Sequence, residues 1–369
     1  MSVTVRINGP YDRIVYDSSS DRAGIDASAT LLLKKLTYTS KVNAAGSAEM
    51  TFPANHLYRA DLDDLIIPYR TIVEIRRGET LLFRGRALLP SDDFLKSRII
   101  KCEGEYNFLV DSVIQAGTLS GAPSSLLASL ISAHNSQVDS FKRFTVGTVS
   151  VSPAVNPSVE LKEASTTAAA LTKLIEQAGG IIRFDTVNGA RTISWLSSAG
   201  ANPQAIHYGA NLLDLSVEYS APDMCNRVYA YGKETNGTRL ALPSPGYVQD
   251  TAAQAVYGVI AAAKVFNECG TAADLAAKAS EYLNAHKSPV SSISVKAIDL
   301  SATGRPWDDS TVVDTTPWDV GKTIEIVSAP HGINGSWLLT QRTYDLLNPQ
   351  NDNITLGAAP TPISEILNQ

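Results

Sequence analysis

Short runs of alternating apolar and polar residues dominate the first hundred positions. SVTVRI, RIVYD, LKKLTYTSKV and SAEMTF are rich in β-branched and aromatic residues, the period-two grammar of strands half-buried on one face. Ala44-Ala45-Gly46 suits a hairpin connection between the last two. TIVEIRRGETLLFRGRALL follows, with Arg77-Gly78-Glu79 as its turn, and SRIIKCEG comes after the polar break Ser91-Asp92-Asp93. The pattern predicts an antiparallel meander, the material of a small barrel or sandwich.

The period then changes. After Pro123, SSLLASLISAHN sets Leu126, Leu127, Leu130 and Ile131 on one helical face, with Ser124 or Ser125 available as the N-cap. STTAAALTKLIEQAGG repeats that grammar. Ser165 or Thr166 caps it, Leu171, Leu174, Ile175 and Ala178 form the stripe, and Gly179-Gly180 ends it. IIRFDTVNGARTISWL is a hairpin signal around Asn188-Gly189. Strand grammar returns with NLLDLSVEYSAPDMCNRVYAYGKE, and the turn-rich TNGTRLALPSPGYVQD reads as a surface loop. One further helix, TAADLAAKASEYLNAHK, has Thr271 as N-cap and an i,i+4 pair, Asp274–Lys278. SSISVKAIDL, GKTIEIV, SWLLTQRTYDLL and DNITLG are strands again.

The expected fold class is a β-rich α+β chain in three domains. These are a first β-domain over 1–104, a central α+β domain over 105–205, and a second β-domain over 206–369. The last carries a loop-and-helix insertion at about 235–287. A pattern recurs between the first and third. Thr71-Ile72-Val73-Glu74-Ile75 aligns with Thr323-Ile324-Glu325-Ile326. A glycine-bearing turn (Gly78; Gly332 and Gly335), a longer strand, a polar break and a short closing strand follow in each. Two readings stand at this point: any two β-meanders look alike, or the chain carries two related β-domains.

Composition narrows the classes of function. A hydrophobic fraction of 44% and a charged fraction of 18% describe an ordered, core-forming chain. The formal net charge of -6, with no Lys/Arg run, argues against a dedicated nucleic-acid binder. Cys102, Cys225 and Cys269 form no CxxC pair and fit free thiols in a reducing cytosol. The N-terminus has no apolar stretch of signal-peptide type, and no apolar run approaches the roughly 18 residues that span a bilayer. The expectation is a soluble chain folded in the cytoplasm.

Candidate chemistry is thin. Gly321-Lys322-Thr323 mimics the tail of a phosphate loop, but Thr316 stands where the first glycine belongs, and a strand follows instead of a helix. Lys322 is therefore expected to be solvated. His56, His134, His207, His286 and His331 show no paired-ligand spacing. His56 with Asp61, Asp63 and Asp64 is the nearest metal candidate, and a polar turn is the simpler reading. No histidine adjoins a cysteine, and no G-x-S-x-G elbow occurs. Glu103 and Glu105 could be cast as a carboxylate pair for glycoside cleavage, but acidic residues at a strand end are more simply solvated. The same holds for Asp308-Asp309. The aromatics, 7% of the chain, do not cluster in sequence into a stacking platform. No catalytic, cofactor-binding or metal-binding residue is assigned, no cofactor is expected, and the chain reads as non-enzymatic.

Several stretches in order resemble bacteriophage tail hub proteins, including the group labelled prophage endopeptidase tail or tail-associated lysin. NHLYRADLDDL with TIVEIRRGETLLFRGRALL is similar to the family's first β-domain, and SRIIKCEGEYNFLVDSVIQ to its transition into the middle domain. STTAAALTKLIEQAGGIIRFDTVNGARTISW resembles the helix–GG–hairpin unit found there. HYGANLLDLSVEYSAPDMCNRVYAYGKE and WDVGKTIEIVSAPHGINGSWLLTQRTYDLLNPQNDNITLG resemble the re-entry into, and the end of, the second β-domain.

The resemblance implies a homotrimer at the tail tip or baseplate of a virion, assembled in the host cytoplasm. Two related β-barrels per chain would make a ring of pseudo-sixfold symmetry, adapting a six-fold tail tube or distal tail ring to a three-fold tip. Such a ring would continue or close the DNA channel. The implied partners are the distal tail protein or tube ring, the tape-measure protein, and a tail-tip fibre, spike or other baseplate protein. PTPISEILNQ closes the sequence where lytic or receptor-binding members carry long extensions, so the endopeptidase label is not transferred. Two alternatives remain: a tail-associated peptidoglycan-degrading enzyme, and a stand-alone carbohydrate-binding β-protein.

Overall fold

The computed structural model describes residues 2–18, 32–187, 190–221, 223–302 and 316–357. These fall into two compact units, one drawn from 2–108, 199–216 and 293–357, the other from 109–198 and 217–292. Among the described residues no helix is long and apolar enough to cross a membrane.

The first unit is mainly sheet. Its early strands are β1 (Val3–Asn8), β2 (Asp12–Asp17), β3 (Lys35–Lys41), β4 (Ser47–Phe52), β5 (Ile72–Arg77), β6 (Thr80–Ala87), β7 (Ser91–Asp92) and β8 (Arg98–Gly104). A single-turn helix, α1 (Leu62–Leu65), precedes β5. Its later strands are β16 (Ile206–His207), β17 (Leu212–Ser220), β22 (Val290–Ala297), β23 (Thr323–Ser328), β24 (Ile333–Asp345) and β25 (Asn353–Gly357). The main path runs β17-β22-β25-β24-β3-β4-β8-β6-β5-β1-β2, with β23 and then β16 branching from β24. The two β regions of the sequence therefore share one sheet, joined where β24 pairs antiparallel with β3.

Alternation decides which faces are buried. Val3, Val5 and Ile7 of β1 face inward with Val73 and Ile75 of β5, Leu36 and Tyr38 of β3, and Met50 and Phe52 of β4. Burying each such aliphatic side chain stabilises the fold by about 1.5–3 kcal/mol. Tyr344 and Leu346, almost three hundred residues further on, belong to the same core. Gly85 and Gly104 sit opposite one another in β6 and β8. A Cβ at Gly104 would collide with the carbonyl of Ala45, so the backbones pass too closely for any other residue.

In the second unit, α2 (Pro123–Gln137) and α3 (Thr167–Ala178) lie among short strands. These are β9 (Val113–Ile114), β10 (Gly117–Ser120), β11 (Thr145–Val149), β12 (Ser158–Leu161), β13 (Ser165–Thr166), β14 (Ile181–Val187) and β15 (Ala190–Leu196). The α2 stripe Leu126, Leu127, Leu130 and Ile131 is buried as expected, but its cap is not a serine. Ala122 holds the N-cap position and Pro123 opens the helix, where its missing N–H costs nothing. In α3 the Thr166 hydroxyl accepts from Ala169 N, and Gly179 ends the helix at φ 71°. β14 and β15 form the expected hairpin, and its turn residues Asn188 and Gly189 lie outside the described residues.

The second unit also holds β18 (Arg227–Thr235), β19 (Thr238–Ala241), β20 (Val248–Gln249), α4 (Thr251–Tyr257), β21 (Ala261–Val265) and α5 (Ala272–His286). The segment read as a surface loop thus contributes two strands that pair with β18, because its turn residues separate short pairing stretches. α4 was not expected. Asp250 caps it by accepting from Ala253 N. α5 lays Leu275, Ala279 and Leu283 against Val228 and Ala230 of β18. Thr271 caps α5, but its hydroxyl also bonds Asp274, so the expected Asp274–Lys278 pair does not form. Lys278 is buried instead and donates to Gln177 O at 2.7 Å and Glu281 at 3.0 Å. Asp308-Asp309 and the 360–369 segment lie outside the described residues.

Candidate functional site

The residues singled out for chemistry are mostly tied up in the fold. Gly321 has φ 93° and leads into β23, and Lys322 is half-buried and paired with Asp319 at 3.3 Å. His56 is buried. Its Nε2 lies 3.0 Å from Val15 O and its Nδ1 accepts from Tyr58 N at 3.2 Å, so both ring nitrogens are engaged. Asp63 pairs with Arg98. Among the described residues no group of three His, Cys, Asp or Glu side chains could hold a metal ion.

The three cysteines are free and buried. Burial pushes the thiol pKa of Cys102 and Cys225 up, and that of Cys269 to about 11. A thiol held protonated is neither a nucleophile nor a ready metal ligand. One serine–histidine contact has the distance of a catalytic pair: Ser112 Oγ lies 2.7 Å from His134 Nδ1. It lacks the rest. Ser112 is 1% and His134 0% exposed, and His134 Nε2 faces Lys142 O at 3.0 Å where an orienting carboxylate would stand. Burial lowers the His134 pKa and keeps the ring neutral. Thr167 Oγ1 completes the chain at 2.7 Å from Ser112 Oγ, so these side chains clamp α2 to the start of α3.

Glu103 and Glu105 are not solvated. Glu103 receives Arg86 Nε at 2.6 Å and Asn107 Nδ2 at 2.6 Å, and Glu105 lies 2.9 Å from Arg84 Nε. Both arginines belong to β6, beside β8, and sequence separation hid that neighbour. The Arg86 guanidinium also lies 5.5 Å from the Tyr69 ring centre and 5.6 Å from that of Phe108. The glutamates thus neutralise arginines and do not face each other across a cleft.

A second buried ionic group was missed from the sequence. Arg342 of β24 donates from Nε at 2.9 Å and Nη2 at 2.6 Å to Asp352 Oδ2, and from Nη2 at 2.9 Å to Asp299. Its Nη1 donates to Trp318 O at 2.9 Å, and its guanidinium lies 4.1 Å from the Tyr344 ring centre. Burial opposes the charge on Arg342, but Asp352, Tyr38 and Asp299 outweigh it and hold the pKa well above the ordinary value. Burial likewise opposes ionisation of Asp299, yet Arg342, Ser301 and Arg77 bring its pKa below the usual carboxylate value. The only legible signal was Arg342 within a strand otherwise alternating towards a core.

One tyrosine pair in the second unit has an arginine beside it. Tyr229 of β18 and Tyr247 stand edge to face at 5.3 Å, and the Arg227 guanidinium lies 4.5 Å from the Tyr247 ring centre. Strand pairing collects residues that lie twenty positions apart.

The comparisons with known proteins point one way. Residues 201–367 match the family model described as "Prophage endopeptidase tail". No curated protein matches the chain. Among solved structures, prophage tail protein gp18 from Listeria monocytogenes EGD-e has a TM-score of 0.61 at 14% identity, covering 99% of this chain and 98% of that one. The prophage MuSo2 43 kDa tail protein from Shewanella oneidensis gives 0.61 at 13%, covering 97% and 98%. A tail protein from Neisseria meningitidis MC58 gives 0.63 at 13%, covering 97% of each chain. The resemblance to phage tail proteins therefore holds, as a family match over residues 201–367 and as a shared fold over the whole length.

Proposed function

We propose that the chain is a structural hub subunit of a phage tail. Three copies would form a ring in which each contributes two equivalent β-modules, one from 1–104 and one from 206–369. That ring would adapt a six-fold tube or distal tail ring to a three-fold tip and continue or close the DNA channel. Its neighbours would be the distal tail protein, the tape-measure protein and a tip spike or fibre, in the virion tail.

One observation carries this reading: the two β regions repeat one pairing scheme. β5, β6 and β8 are an antiparallel meander with Gly78 in the turn, and β23, β24 and β25 are another with Gly332. Each long strand first pairs its hairpin partner and then the closing strand. β6 passes from β5 to β8, and β24 from β23 to β25. The neighbours extend the likeness, since β3-β4-β8-β6-β5-β1 parallels β17-β22-β25-β24-β23-β16. It ends at the last member, where β1 is antiparallel to β5 but β16 is parallel to β23.

A repeated head-to-tail contact makes a closed ring where its rotation closes, and closed symmetry is the common form of homo-oligomers. Mass photometry of the purified chain, followed by electron microscopy, tests the proposal. A trimeric ring with six similar lobes is expected, and a monomer at every concentration would refute it. The role is proposed as non-catalytic, supported by the buried thiols and the enclosed Ser112–His134 contact. Peptidoglycan clearing by the isolated chain in a zymogram would overturn that part.

A further inference from the structure

Among the described residues several strand edges of the first unit have no partner, and for two of them the internal repeat says what is missing. β17 stands at one end of the sheet path with β22 as its neighbour. Its equivalent in the first β region is β3, which also occupies the outer end of a run and pairs inward with β4. β3, however, has a second neighbour: its other edge pairs with Gln341 to Asp345 of β24.

The matching edge on the other side has no described partner either. After β6 the chain continues along β8, through Leu88 N donating to Lys101 O and then the β7 pairs Ser91 with Ile99 and Asp92 with Arg98. Residues 88–92 thus follow β8 as Thr340 and the residues after it follow β25. Pairing on that edge ends at Ala87, which donates to Thr71 O and accepts from Tyr69 N, as it ends at Leu339, which donates to Lys322 O and accepts from Gly321 N. On β24 the freed edge is taken by β3. On 88–92 it is not. Strand geometry turns the Leu89 N–H away from β8, since that of Leu88 turns towards it.

The side chains fit the same account. Leu89 is 69% exposed on one edge, and Leu213 of β17 is 50% exposed on the other. At the internal joint the equivalent strands bring Tyr344 opposite Tyr38, with ring centres 5.8 Å apart, and bond Thr39 Oγ1 to Thr343 Oγ1 at 3.1 Å. Open edges with apolar side chains invite pairing with another chain. Pro90 limits what can bind, because it offers no N–H.

We propose that the free edge of β17 in one copy pairs antiparallel with residues 88–92 of the next copy. That contact repeats between copies the β24–β3 joint made within each. The occupant of each edge is a second copy of this chain, and the contact is head-to-tail, so it propagates around a ring. The inference rests on the trimeric reading given above and adds the surfaces that close it.

The test uses the full chain and four substitutions. Leu89→Asp and Leu213→Asp alter exposed side chains, so melting temperature is expected to stay within about 2 °C of the parent, as for surface changes generally. In mass photometry each is expected to shift the trimer-to-monomer midpoint at least tenfold towards higher concentration. Separately, Leu89→Cys with Leu213→Cys in one chain is expected to yield covalent dimers and trimers on oxidation, and neither single variant the trimer. The natural cysteines are buried and do not compete. If the parent is trimeric and both aspartate variants remain trimeric, the edge contact is wrong and the hub reading stands. If the doubly substituted cysteine chain gives only monomers from a trimeric parent, the contact is likewise refuted. A parent that never assembles removes both.

Discussion

Arg342 and Asp352 meet side-on, with Nε and Nη2 of the arginine both bonded to Oδ2 of the aspartate, and the two side chains are 1% and 0% exposed. Asp299 shares the same Nη2 group at 2.9 Å. The group joins three separate stretches of the first unit, ahead of β23, along β24 and ahead of β25. Its geometry makes it a fastening of that meander and gives a substrate no entry.

Removing the cation should be costly. Arg342→Met leaves two carboxylates buried without their common partner, and a loss of about 3–5 kcal/mol is expected for breaking such a group. Urea unfolding checks this. A loss below about 1 kcal/mol would mean that the carboxylates find other partners or water.

Acid should act on Asp299 with a defined sign, while burial pushes the neighbouring Asp352 carboxyl the other way, above its usual value. The folded-state pKa of Asp299 lies below the ordinary 3.8, so its contribution is present above that pH and is lost as pH falls through the lower folded value. Asp299→Asn should flatten the stability–pH curve below about pH 4, measured by thermal melts in a buffer series.

His134 supplies a second pH dependence, in the second unit. Burial lowers its pKa from 6.5, so the unfolded chain takes up a proton first as pH drops. Stability should be complete above about pH 6.5 and decline below it. Replacing His134 by Gln should remove that slope while lowering stability at every pH, because Ser112 and the Lys142 carbonyl lose a matched partner.

The α3 cap is a milder case. Thr166→Ala removes the acceptor for Ala169 N and should cost about 1 kcal/mol. Thr166→Ser should restore most of it in the same melts.

The thiols give a test of folding rather than of stability. Cys102, Cys225 and Cys269 should be silent to a water-soluble thiol reagent in the native chain and all react in denaturant. Rapid labelling of one cysteine without denaturant would mean that its surroundings open locally.

Periodicity by itself determined the kinds of element. Alternation at Val3, Val5 and Ile7 and the Thr166 and Thr271 caps are local features that took their expected form, and of the stripe Leu171, Leu174, Ile175 and Ala178 all but the half-buried Ile175 are buried. The likeness between the stretches from Thr71 and from Trp318 was also visible, as was the family they resemble. The Asp274–Lys278 pair failed because Thr271 and Gln177 compete for those side chains, and the second of these lies about a hundred residues away.

Only the tertiary structure decided where the charges went. Glu103 and Glu105 were read as solvated because sequence shows a strand end and not the neighbouring β6 that carries Arg84 and Arg86. The same holds for Arg342, whose two carboxylates lie 43 and 10 positions away, and for β24, which pairs with a strand some three hundred residues earlier. Hydrophobic period fixes a face, because burial depends on one residue's own side chain. Pairing of strands and of buried charges depends on which distant segment arrives, and no local pattern encodes that.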